Sequence, residues 1–446
     1  MAYGQKTFRT GRDILRLPPF QNWLLRVASK LADWFGFWRY PVDLDIEGLN
    51  FYHALVWYHI AGKPVIHAEK VSGLEEHFAR QQEIDFHALP PSFQKQATLS
   101  LSAVGDLMCN TALEHSGDRY YQNVADLIFD ADVSFANLES TLTSNSIAQP
   151  KLSLEEMPKI NATPRQYEIV SKYQGRRYSI FQLANNHILD NGLDGILTTR
   201  KKLDKDGIPH VGTNLSAEEQ EKGVILEVNG LRLGFVTATY SLNLHPFPEG
   251  KEYLVNLVPF HKYHSEVDLS LLEKQIAWCR AQGCDLVIAS LHWGFEWEFY
   301  PRAYQLKQAH QLAEAGADII ISQHAHVIQP MEWYQTQRDA DRFVPIFYGL
   351  GNLVPLASAP FTSLSLVARL NLIKGQINGE EKTLIENAHL TPVIQLSENV
   401  DEKNVVWLEK LNQISSAHIP VETQQYMAEA AKYADIVLGK GWRKSA

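Results

Sequence analysis

Residues 317–330 read ADIIISQHAHVIQP. The apolar, β-rich run over Ile319, Ile320 and Ile321 closes on two histidines, His324 and His326. In an extended segment the i, i+2 spacing turns both imidazoles toward one point. Five other apolar runs end in the same manner. LSLSAV (99–104) precedes Gly105-Asp106, and ADVSFA (131–136) precedes Asn137-Leu138-Glu139. YSIFQLA (178–184) precedes Asn185-Asn186-His187, and CDLVIASL (284–291) precedes His292-Trp293-Gly294. FVPIFY (343–348) precedes Gly349-Leu350-Gly351-Asn352. Open α/β sheets carry their sites outside the carboxyl ends of the strands. Asp, Glu, Asn and His supply the oxygen and nitrogen ligands of catalytic divalent metals. The pattern therefore predicts one convergent metal site.

Between these runs lie helical patterns, at Gly192 to Lys205, Leu271 to Gln282 and Ala303 to Ala315. GVILEVNGLRLGFVTATYS reads as a hairpin joined across Asn229-Gly230. A second β pair is expected in SLVARLNLIKGQINGEEKTLIENAHLTPVIQL. The fold class is thus α/β: a layered sandwich of mixed sheets flanked by helices. Residues 98–398 form this domain, 1–97 a helical N-terminal extension, and 399–446 a C-terminal helical segment. Pro90-Pro91 marks a linker. In the extension, Phe20, Trp23, Leu24, Val27, Ala28, Leu31, Trp34, Phe35 and Trp38 fall at helical spacing, with Arg26, Ser29, Lys30 and Asp33 off the stripe. A second aromatic helix is expected from Leu49 to Ile60. The stripe is expected to dock on the main domain; contact with a membrane surface by Phe20–Trp38 is the less favoured alternative.

The chain has 446 residues, 45% of them hydrophobic, and a formal net charge of −10. That charge argues against a broad nucleic-acid surface. No apolar run is long enough to span a bilayer, and no signal peptide is seen. The three cysteines, Cys109, Cys279 and Cys284, form no paired framework and fit a reducing compartment, so the cytoplasm is expected.

Each candidate competes with a plainer role. Gly105 permits a turn, and Asp106 after it is either a ligand or an ordinary turn residue. Asn137 and Glu139 share a face, and Glu139 can bridge two ions or cap a strand end. Asn186 offers an amide oxygen, and His187 a proton for a phosphoryl oxygen or leaving group. Asp190, Asn191 and Asp194 are better placed than Asn186 to cap the following helix. His292 is a ligand or a hydrogen-bonded core group. Glu296, four residues on, is an acid/base, an orienting group or a surface carboxylate. Gly349 and Gly351 allow close backbone approach to a ligand, and Asn352 could support one.

Together these motifs resemble the poly-γ-glutamate capsule-synthesis (CapA-like) family, akin to the calcineurin-like metallophosphoesterases. The resemblance runs from about 99 to 395 and rests on GDLM, FANLES, LANNHILDNG, GIPHVG, LHWGFEWEFYP, EAGADIIISQHAHVIQP and YGLGNLV. It implies a four-layer sandwich and one or two divalent ions (Mn, Zn or Fe). The implied ligands are Asp106, Glu139, Asn186, His292, His324 and His326. His187 would touch the phosphate, with Glu296 as the second catalytic candidate. Met108 departs from the Asp-x-His usual in the phosphoesterases and removes one ligand from one ion. Ser322-Gln323 replaces the Gly-His that commonly precedes the last His-x-His. The activity so implied is hydrolysis of phosphoester or phosphodiester bonds in an anionic small-molecule or polymeric substrate. The alternative is a non-hydrolytic role in synthesis or export of a poly-γ-glutamate or capsule polymer, and a degenerate scaffold is a third. The polar stretch Thr141 to Pro164, with Lys151 and Lys159, is the expected substrate loop.

Overall fold

The alternating β-rich and helical runs become two mixed sheets stacked face to face, each covered on its outer side. The structure, a computed structural model, describes residues 12, 18–35, 51–84, 89–90, 92–143, 159–261, 266–413 and 420–444, without the side chains of 51–54. Lys151, Trp38, Leu49, Asn50 and Pro91 lie outside the described residues.

The first sheet contains β1 (Gln94–Leu107), β2 (Val133–Asn137), β3 (Ile180–Gln182) and β4 (His210–Val211), running parallel in that order. The second contains β5 (Val224–Val228), β6 (Leu231–Thr239), β7 (Leu286–His292), β8 (Ile319–Gln323), β9 (Ile328–Gln335) and β10 (Phe343–Leu350). Its spatial order is β9-β10-β8-β7-β6-β5, with the four inner strands parallel and the two edges antiparallel. Residues Asn352–Val354 (β11) return to pair with the end of β1. Three long strands, β12 (Leu364–Ile377), β13 (Glu380–Val400) and β14 (Lys403–Lys410), then extend the first sheet antiparallel from β1.

The central strands are continuously apolar because both faces are buried. In β7, Leu286 and Ile288 enter the core between the sheets, while Val287, Ala289 and Leu291 face helices α5 (Ser270–Ala281) and α6 (Ala303–Ala315). Phe135 of β2 stacks on Phe235 of β6 across that core, with ring centroids 6.0 Å apart. On the far side of the first sheet, Val104, Ala136 and Phe181 pack with Ile196 and Leu203 of α4 (Gly192–Asp206). The result is the expected layered sandwich. Asn229 and Gly230 both have positive φ (51° and 79°), as a two-residue hairpin turn between β5 and β6 requires.

The extension contributes α1 (Pro19–Trp34), α2 (Phe51–Ile60) and α3 (Leu74–Gln81). Trp57 and Ile60 join the inter-sheet core, and Leu74 and Phe78 join the layer around α5 and α6. Val65 is hydrogen-bonded to the backbone of Trp297 and Phe299.

Four expectations are corrected. Residues 399–446 are not all helical: Lys403–Lys410 is a strand whose Val405, Val406 and Leu408 are buried beside β13, and among the described residues of this range only Val421–Leu438 (α7) is α-helix. The aromatic stripe of α1 does not dock; Leu25, Ser29 and Ala32 are the buried residues. Gly105 makes no turn. A Cβ there would meet the carbonyl oxygen of Gly351 at 1.8 Å, so the residue lets two backbones touch. For the same reason Gly351 serves backbone packing, its φ of 71° lying where glycine is at ease. Among the described residues no helix is long and apolar enough to cross a membrane.

Candidate metal centre

The parallel strands of both sheets deliver their carboxyl ends to one place. Asp106 sits at the end of β1, Asn137 ends β2, and His292 ends β7. Glu139 follows β2, Asn186 and His187 follow β3, and His324 and His326 follow β8. All eight side chains are buried. His324 and His326 are not extended as expected: their φ values are +92° and +55°. Such angles are strained for a side-chain-bearing residue. The Asp106 carboxylate holds the bend, accepting a hydrogen bond from the backbone N–H of His324 at 3.1 Å. The two imidazoles still approach each other, at 5.5 Å between centroids, and His292 lies 4.9 Å from His324.

Two groups of ligand atoms result, each with its atoms within 4.8 Å of one another: Glu139 with His292 and His324, and Asp106 with Glu139 and His326. Glu139 belongs to both. Its Oε1 is 3.5 Å from His292 Nε2 and 3.9 Å from His326 Nε2. Asn186 joins the first group, with Oδ1 2.9 Å from His292 Nε2. Asn137 organises the floor. Its amide donates to Asp106 Oδ1 at 2.7 Å and lies 3.3 Å from His292 Nδ1. Asn352 orients His326, with Oδ1 2.8 Å from Nδ1.

The electrostatics of these groups are strongly perturbed by burial and by one another. Burial drives the Glu139 carboxyl well above its ordinary value, and Asp106 adds to the rise. Burial depresses His292 to about 3 and carries His324 well below its usual range. For His326 burial is outweighed by Glu139 and Asp106, which lift it to about 10. Asp106 stays depressed because His326, His292 and Asn137 overcome its burial. Glu139 Oε1 and His324 Nδ1 are buried without hydrogen-bond partners. Orphaned acceptors of this kind are expensive unless something fills the space between them. The residues fit a divalent cation, which would restore charge to Glu139 and displace the proton of His326.

His187 stands beside this group with a partner three residues on in the chain. Asp190 Oδ2 is 2.7 Å from His187 Nδ1 and also accepts from Ile160 N–H. Asp190, one of three residues expected to be better placed than Asn186 for capping, instead fixes the imidazole, and no side-chain cap is formed by Asn191, which donates to Thr141. Burial lowers the His187 affinity for a proton, but Asp190 and Glu139 raise it above the ordinary value overall. Asn243 spans Asn186 (3.1 Å) and His187 (3.4 Å), and His245 Nε2 lies 3.5 Å from Asp190 Oδ1. Tyr240 stacks between His261 (4.4 Å) and His324 (4.5 Å). Only the i, i+3 spacing of His187 and Asp190 was a sequence signal; Asn243, His245 and Tyr240 follow a strand of the other sheet and carried none.

Glu296 sits at the rim. Its Oε1 is 3.7 Å from His326 Nε2, and its Oε2 accepts from Trp57 Nε1 of the extension at 2.5 Å. Lys159 is exposed away from described partners, and residues 144–158 of the expected substrate loop lie outside the described residues.

The chain is 25% identical over 323 residues to the PGA biosynthesis protein CapA of Bacillus subtilis (strain 168), covering 69% of this chain and 77% of that protein. It is 25% identical over 278 residues to the capsule biosynthesis protein CapA of Bacillus anthracis, covering 59% of this chain and 62% of that one. Its structure is similar, at a TM-score of 0.35 and 15% identity, to the calcineurin-like phosphoesterase YfkN from Bacillus subtilis, over 76% of this chain and 99% of that chain. Residues 100–355 match the model of the bacterial capsule synthesis protein PGA_cap, a span that holds all the residues just described except those of the N-terminal extension, and the chain belongs to that family.

Proposed function

We propose that this chain hydrolyses phosphoester or phosphodiester bonds at a divalent-metal centre held by Asp106, Glu139, Asn186, His292, His324 and His326. The observation that carries the proposal is the sharing of Glu139 between two carboxylate–imidazole groups. When bound, Mn, Zn or Fe supplies Lewis acidity and a water acidified toward neutrality. His187, its Nδ1 tied to Asp190, keeps Nε2 for an oxygen of the substrate or leaving group. Its raised proton affinity suits an acid at neutral pH. Asn137 and Asn352 fix Asp106 and His326, and Glu296 steadies the outer side of His326. Burial of all six metal-binding candidates keeps bulk water from competing with these contacts. The three free, buried cysteines fit a cytoplasmic setting.

A second reading, a non-hydrolytic factor in capsule-polymer synthesis, is favoured by the names of the two CapA relatives. The same centre would then hold carboxylates of an anionic polymer. Elemental analysis together with a phosphodiesterase screen in added Mn²⁺, Zn²⁺ or Fe²⁺ separates them. Turnover that is lost in His187→Ala supports hydrolysis. Metal-loaded protein that binds polyglutamate and turns over no phosphodiester supports the second reading.

A further inference from the structure

Helix α1 is inside out. Viewed down its axis, Phe20, Trp23, Leu24, Val27, Leu31 and Trp34 form one stripe roughly a third of the circumference wide. That stripe faces away from the protein: Phe20 is 70% exposed, Trp23 58% and Trp34 80%, with Leu24 and Leu31 also exposed. The opposite, more polar side makes the contacts with α2. Tyr58 Oη donates to Asn22 at 2.8 Å and accepts from Arg26 at 3.2 Å, and Ser29 pairs with His59 at 2.9 Å. Leu25 completes the seam with Leu55 and Tyr58. A helix that merely covered the domain would turn its aromatic side inward, because burying large apolar side chains is the main gain from packing.

We propose that α1 lies in the plane of an anionic lipid surface, with this stripe in the acyl boundary. Three features select a lipid over a protein. Tryptophans stand near both ends of the stripe, as suits the headgroup level. Arg26 and Lys30 are exposed along one flank, and the neighbouring acid, Asp33, is engaged by Lys63 at 3.5 Å and His59 at 3.6 Å. The flank is therefore basic in a chain whose net charge is −10. Finally, 16 residues give about two heptads, short of the three or four that a paired coil with a second copy sustains. The seam with α2 ties the surface to the centre, since Trp57 of α2 touches Glu296 at its rim.

The test is co-sedimentation of the full chain with extruded vesicles of phosphatidylcholine containing phosphatidylglycerol, and of phosphatidylcholine alone. The wild type is expected to bind the anionic vesicles. The triple variant Trp23→Ser, Leu31→Ser, Trp34→Ser should bind them roughly tenfold more weakly or worse, since binding scales with apolar area inserted. Lys30→Glu should weaken binding to the anionic vesicles only. Absence of wild-type binding, or equal binding by the triple variant, overturns the proposal. So does light scattering that finds a lipid-free dimer which the triple variant converts to a monomer, because a second copy would then own the face.

Discussion

The Oε1 atom of Glu139 lies 3.5 Å from Nε2 of His292, and both side chains are wholly buried. Oε1 has no hydrogen-bond partner, although it also faces His326. One carboxylate therefore serves two imidazoles that come from the carboxyl ends of the neighbouring parallel strands β7 and β8. If that is the geometry of a two-ion centre, elemental analysis should return two ions per chain. His292→Ala should remove one and His326→Ala the other, whereas Glu139→Gln should reduce both. Loss of a single ion in Glu139→Gln would deny it the bridging role.

The two ions should not be held equally. Asn186 Oδ1 adds a donor beside His292, while Met108, two residues past Asp106, offers only a soft thioether. Titration with a chelator should strip the ion near Asp106 first. The order reads directly from metal retained in His292→Ala against His326→Ala at rising chelator.

His187 differs from the six candidates around the centre by its tie to Asp190. His187→Ala and Asp190→Asn are expected to retain metal and lower phosphodiesterase turnover by about 10²–10⁴ fold, the range of a lost general acid. Metal loss in His187→Ala would make it a ligand and reassign the acid.

Glu332 of β9 anchors the extension through α3. It pairs with His77 of α3 at 3.2 Å and with His310 of α6 at 3.0 Å, and accepts from Tyr348 at 2.8 Å. Burial alone would raise its carboxyl, but His310 and His77 bring it down to about 2. A depressed carboxyl stabilises the fold above its unfolded value and loses that contribution as pH falls toward 2. Glu332→Gln should lower stability at pH 7 by about 2–3 kcal/mol, as for hydrogen bonds to a charged group. It should also flatten the acid limb of the stability curve between about pH 4.5 and 2. Chemical denaturation across that range checks both; an unchanged acid limb would mean other carboxylates dominate.

Gly105 should tolerate no side chain. Its Cβ would fall 1.8 Å from the Gly351 carbonyl oxygen, and the contact is backbone on backbone, between β1 and the turn into β11. Gly105→Ala is expected to cost about 3 kcal/mol or more. A melting temperature within a few degrees of wild type would show that the two strands can separate.

The alternating runs alone were enough to place β1, β2, β3, β7, β8 and β10 and helices α4, α5 and α6, because a strand buried on both faces must be apolar throughout and a helix must repeat near every third or fourth residue. They also pointed to the strand-end motifs that hold Asp106, Glu139, Asn186, His292, His324 and His326 as one convergent place, since parallel strands bring their carboxyl ends together whatever the loops do; the choice of these six as ligands came from the family resemblance. Pairing depends on distances between segments far apart in the chain, and those were not legible. The strand Lys403–Lys410 looked like more helix because only its neighbour β13 makes it a strand. The approach of Asn243 and Tyr240 from the other sheet required the two sheets to be stacked. The positive φ of His324 depends on a hydrogen bond to Asp106, 218 residues earlier. The outward stripe of α1 is the clearest case: periodicity establishes that a helix has an apolar side, but which side meets the protein is decided by the polar groups that α2 presents to it.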